Sequence, residues 1–147
     1  MSHINPEREQ FKALYDLPLD HPVFMINLLR FREKASYAAD APEASEPPVS
    51  GAEAYKRYGQ DAAPYFSGVG GKQFWIGKPE ATVIGPTDEP WDLAFIAYYP
   101  TGQAFIDMVK NPDYQKATRH RTAATADSRL IRCKELTAGV GFEPAES

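Results

Sequence analysis

The chain has 147 residues, 43% of them hydrophobic, a formal net charge of −4 at pH 7 and a single cysteine, Cys133. That length suits one domain able to bury about two thirds of its unfolded surface. The acidic balance argues against a nucleic-acid groove or an anionic membrane as partner, and one cysteine excludes an internal disulfide framework or a cysteine-pair zinc site. With no basic-then-apolar leader and no apolar run near the ~18 residues of a membrane span, the sequence predicts a soluble, cytoplasmic protein.

Asn5-Pro6-Glu7 combines an N-cap, a proline at the first helical position and an acid at the positive helix end. It predicts an N-terminal helix over about 5–16, with Phe11, Leu14 and Tyr15 as its stripe and Pro18 closing it. Val23 to Phe31, VFMINLLRF, is apolar on both alternating faces apart from Asn27 and Arg30, and predicts a strand covered on both sides. Asn27 must find hydrogen-bond partners or face a wet cavity. Residues 32–50, polar and containing Pro42, Pro47 and Pro48, read as a surface insertion or a lid. A helix follows from Gly51 with Tyr55, Tyr58, Ala62, Tyr65 and Phe66 along one side, and Pro64 predicts its kink or end. The glycines from Gly68 to Gly71 precede a strand and lack a following Lys-Ser or Lys-Thr pair, so they form a turn and not a phosphate loop.

Lys72 to Lys78 and Ala81 to Gly85 read as one strand bent at Pro79. Trp91 to Pro100 is a second strand apolar on both faces, and Thr101 then caps a helix carrying Phe105, Met108 and Val109. Asn111-Pro112 restarts the helix, which ends on the basic group Lys116, Arg119, His120 and Arg121. Ser128 to Leu136 is the last strand of a core spanning about 22–136, and residues 137–147 are a tail. The order strand, helix, strand, strand, helix, strand predicts an α+β fold, an antiparallel four-stranded sheet with helices on one face. Helices on one face leave the other uncovered, so strands apolar on both sides predict a homodimer packed sheet face to sheet face.

VFMINLLRFREKASY, GAEAYKRYG, GVGGKQFWIG, WDLAFIAYYPTGQAFIDMVKNPDYQ and RHRTAATADSRLI together resemble the family known as domain of unknown function 1330, over Val23 to Ile131. The resemblance implies the ferredoxin-like βαββαβ fold of the dimeric α/β barrel superfamily, and a dimer. It implies no reaction, because that superfamily includes cofactor-free monooxygenases, lactone isomerases and haem-dependent enzymes.

His120 lies between Arg119 and Arg121, which favour its neutral form and suit it to act as a general base; otherwise the trio is a cationic helix end. Arg121, ahead of Arg119, is the candidate to hold a carboxylate or phosphate, since residues two apart on a helix point in different directions. Tyr55, Tyr58, Trp75 and Tyr99, with Asn27, line an apolar small-ligand pocket or are simply core. No His or Cys spacing suggests a metal, and no cofactor is expected. The sequence thus predicts a homodimer that binds a small aromatic or apolar acid as a cofactor-free monooxygenase or isomerase. In that reading His120 removes a proton while Arg121 or Asn27 steadies the anion. The alternatives are a non-catalytic binding or assembly module and a haem protein ligated by His120.

Overall fold

In the computed structural model, which describes residues 2–145, the N-terminal helix is shorter than its sequence suggests. It spans Arg8–Leu14 (α1) and starts on a capping box in which Glu7 and Gln10 exchange side-chain and backbone bonds. The strand β1, Val23–Phe31, has the expected bounds and alternates buried and half-buried residues along its length. Helix α2, Gly51–Gly68, is capped by Ser50, whose hydroxyl accepts from the Glu53 amide at 3.0 Å.

Pro64 neither ends nor interrupts α2. It sits on the exposed flank, where the carbonyl deprived of its partner meets water and the ring has room. Gly70 and Gly71 then turn the chain into β2, Lys72–Gly77, with Gly70 in the left-handed region at φ 85°.

The strand expected to bend at Pro79 stops at Gly77, and residues 78–92 form an irregular arm on which Val83 and Ile84 stand more than nine-tenths exposed. Pro79, Pro86 and Pro90 offer no amide hydrogens and no neighbour fixes Ala81 to Gly85 in register, so that stretch does not join the sheet.

Strand β3, Leu93–Tyr99, leads into α3, Gly102–Lys110, through Thr101, which accepts from the Ala104 amide. Asn111 ends α3 and caps α4, Pro112–Ala124, with Pro112 at its first position. The last strand, β4, runs Thr125–Cys133, three residues earlier than the sequence suggests, because α4 passes into it without a loop.

The strands form one antiparallel sheet in the order β2-β3-β1-β4, the ferredoxin-like arrangement. Val23, Met25, Asn27 and Leu29 of β1, with Ala97 and Tyr99 of β3, face the helices and enclose Ile106 and Met108 of α3. The opposite face is apolar: Phe24 pairs with Tyr98, while Ile26 pairs with Ile96 on one side and Ile131 on the other. Phe74 of β2 adds its ring at 5.2 Å from that of Phe24. Among the described residues no helix is long and apolar enough to cross a membrane.

Candidate functional site

Helices α2 and α4 pack side by side, and their shared seam holds both polar groups of interest. Tyr55 and Tyr58 project from the buried stripe of α2, Tyr114 from α4. The hydroxyls of Tyr58 and Tyr114 bond each other at 2.7 Å, and Tyr55 packs on Phe31 with ring centroids 5.1 Å apart. Tyr99 is clasped edge-on by Phe66 and Phe105, its hydroxyl 3.9 Å from the Met108 sulfur. Burial pushes all four phenols well above the usual tyrosine range, a burden that the Arg121 charge partly relieves at Tyr55, Tyr58 and Tyr114. These tyrosines pack as core, the hydroxyls of Tyr58 and Tyr114 spent on each other and that of Tyr99 on the Met108 sulfur.

Asn27 shares the helix-facing side of the sheet and is 9% exposed, with Nδ2 donating to the Met25 carbonyl at 3.1 Å. Trp75 does not join this set. A bulge before it pairs it with Ile96 on the opposite face of the sheet, at the exposed edge strand.

Three residues along α2 from Tyr58 the environment changes. His120, 4% exposed, is bonded at both ring nitrogens: Nδ1 lies 2.6 Å from the Tyr37 hydroxyl and Nε2 3.2 Å from Oδ2 of Asp61. An ionised carboxylate only accepts, so the proton sits on Nε2 and Nδ1 accepts from Tyr37. Burial first, and the Arg119 charge second, lower the proton affinity of His120, opposed by Asp61 and Glu43. The imidazole is thereby held neutral, as the sequence suggests, although burial contributes more than the flanking arginines and Arg121 plays no part. Burial likewise raises the Tyr37 phenol, against the pull of Arg57 beside it.

The two arginines diverge as expected for residues two apart on a helix. Arg119 turns toward residues 32–50, where its Nε and Nη2 donate to the two carboxylate oxygens of Glu43, both at 3.0 Å. That bond set holds the Glu43 carboxyl below the usual glutamate range. Arg121 turns the other way and donates to the Ile4 carbonyl and to Ser128 Oγ, binding the N-terminal segment to β4. It does not reach the surroundings of His120.

An open groove of about 400 Å³ runs along the seam, lined by Gln60, Asp61 and Tyr65 of α2 and by Asp113, Lys116 and Arg119 of α4. The Asp61 side chain is half exposed there and links the groove to the buried imidazole. Residues Tyr37, Glu43 and Asp61 are the members of this site that sequence reasoning passes over. Only Asp61 leaves a local trace, one helical turn beyond Tyr58. A second hollow of about 480 Å³ beside the N-terminus is spanned by ion pairs of Arg129 with Glu89 and Asp127, each at 2.9 Å.

Residues 45–133 match the model of the family described as Domain of unknown function (DUF1330). A crystallised protein of unknown function from Rhodopseudomonas palustris, RPA0582, is 44% identical with a TM-score of 0.84, over 93% of this chain and 99% of its own. The methylated RPA0582 protein gives 43% identity and a TM-score of 0.86, over 95% of this chain and 98% of its own. At 14% identity and a TM-score of 0.49, over 78% of this chain and 97% of the other, there is also a likeness to a dabb family protein with a ferredoxin-like fold from Mesorhizobium loti. No curated protein matches the chain.

Proposed function

The chain belongs to the DUF1330 family, and we propose that it is a homodimeric, cytoplasmic small-molecule-binding protein whose Asp61–His120–Tyr37 chain transfers a proton to or from a small organic acid. One observation supports this above the others: a buried, neutral histidine joined at one nitrogen to a carboxylate that opens on a groove. The substrate lies in that groove with its carboxylate toward Lys116 and Arg119, and Asp61 meets the carbon-bound proton. The proton comes to rest on the Asp61 carboxyl, whose other bond, from His120 Nε2–H, holds it in place, while the Tyr37 hydroxyl donates to Nδ1 and fixes the ring's orientation. Arg119, and not Arg121, steadies the resulting anion. Proton abstraction from carbon opens both isomerisation and cofactor-free oxygenation. Incubation with a panel of small 2-oxo and aryl acids in D2O, followed by proton NMR, tests it. Wild-type protein is expected to catalyse deuterium incorporation that Asp61→Asn and His120→Gln abolish with the fold intact. A folded wild type inert across the panel removes the reading.

The dimer rests on the apolar outer face of the sheet, where Phe24, Ile26, Ile96, Tyr98 and Ile131 lie together. A second copy of the same face covers it. Sedimentation at micromolar concentration is expected to give twice the chain mass, and Ile26→Lys to give the single mass; a wild-type monomer refutes it. A second reading, the non-catalytic module, draws on the tyrosine stripe being packed solid. Haem is disfavoured as ligand of His120, because iron would have to displace Tyr37 or Asp61 from a ring nitrogen.

A further inference from the structure

Residues 32–50 are held at two levels. At the base, backbone bonds join Ala35 to Val49, Ser36 to Ala123 and Gly51 to Arg32. Beyond Tyr37, the link that ties the tip to α4 is the Glu43–Arg119 pair, with Glu43 carried on a short 3-10 turn, Pro42–Ser45. The geometry of that pair is the two-pronged fork by which arginine grips any carboxylate. Its Glu43 side chain is 10% exposed, yet Arg119 remains 38% exposed and lines the groove. Arg119 therefore presents a carboxylate site that the chain fills with its own glutamate.

We propose that Glu43 is an internal competitor at this site: a small carboxylate entering the groove displaces it from Arg119, freeing the tip of residues 32–50 to move as a flap. Exchange of one carboxylate for another keeps both hydrogen bonds of the guanidinium, so the balance lies between the freedom that the tip gains and the freedom that the entering carboxylate loses. The base stays stapled by its backbone bonds, which confines the motion to the tip. Tyr37 lies between base and tip, so displacement at Arg119 is transmitted toward His120. The inference rests on the function proposed above and adds to it the residue that competes with the substrate's carboxylate.

Calorimetric titration with sodium benzoate tests it. Glu43→Gln, which removes the competing charge and keeps the side-chain shape, is expected to bind benzoate about ten-fold more tightly than wild type. Arg119→Gln in the Glu43→Gln background is expected to lose that gain. In wild type, saturating benzoate is expected to speed hydrogen exchange of the amides at 38–48 and leave those at 32–36 unchanged. A Glu43→Gln protein with native circular dichroism and benzoate affinity within two-fold of wild type overturns the proposal. Tighter benzoate binding without deuterium incorporation in the acid panel sinks the acid–base reading alone; incorporation without tighter binding sinks the displacement alone.

Discussion

The seam between α2 and α4 holds two polar groups, and they differ in where their hydrogen bonds end. Tyr58 and Tyr114 turn their hydroxyls on each other within a wall of aromatic rings. Asp61 and His120, three and six residues further along the same two helices, begin a chain that runs from buried imidazole to half-exposed carboxylate. Closure makes the first group core, because a phenol that has spent its bond internally gains nothing from water or ligand. The second group keeps one end, the Asp61 carboxylate, open to the groove. The tyrosine stripe is packed into core, whereas the histidine flanked by arginines lies one carboxylate away from the groove.

The comparison breaks most heavily at the closed group. Tyr114→Ala empties a site that is 7% exposed and is expected to cost roughly 3–5 kcal/mol, read from chemical denaturation. Tyr58→Phe removes one hydroxyl and leaves that of Tyr114 without a partner, at roughly 1–3 kcal/mol. The double variant Tyr58→Phe/Tyr114→Phe is expected to recover most of that loss; additive losses would show that the two hydroxyls do not depend on each other.

A pH titration sharpens the contrast at the open group. His120 holds a proton less well when folded, so its stabilising contribution is complete above the unfolded value near 6.5 and declines as pH falls toward the folded value. The slope is at most about 1.4 kcal/mol per pH unit. Glu43 and Asp127, both lowered in the fold, lose their contributions only in the more acidic carboxylate range. Melting curves of wild type are expected to fall below pH 6.5 and those of His120→Gln to stay flat until the carboxylates titrate.

Most of the fold was legible because its signals are local. Alternation over Val23 to Phe31, Thr101 as a cap and Asn111-Pro112 as a restart each act within a few residues. Where the structure differs, the causes are physical. Pro64 predicts a kink or an end, but a proline on a wet helix flank is tolerated; Ala81 to Gly85 predicts strand, but it meets no partner in the sheet. Of the site, His120 was visible as an oddity of charge, while Tyr37 and Glu43 were not. Their partners lie 83 and 76 residues away, and nothing in a polar, proline-bearing stretch distinguishes a glutamate that grips α4 from one that faces solvent.

The smallest expected effect tests whether Tyr37 orients or merely packs. Tyr37→Phe keeps the ring, which meets the imidazole edge-on at 5.6 Å between centroids, and deletes only the hydroxyl bonded to Nδ1. Tyr37 is only partly buried and its hydroxyl is removed along with the bond, so the loss of stability is expected to be about 0.5–1.5 kcal/mol, below that of Tyr58→Phe. Asp61 keeps the proton on Nε2, so the Nε2–H tautomer is expected to persist while the Nδ1 NMR shift moves toward that of an unbonded acceptor nitrogen. A Tyr37→Phe protein as destabilised as Tyr58→Phe, with the Nδ1 shift unmoved, would place Tyr37 with the closed group.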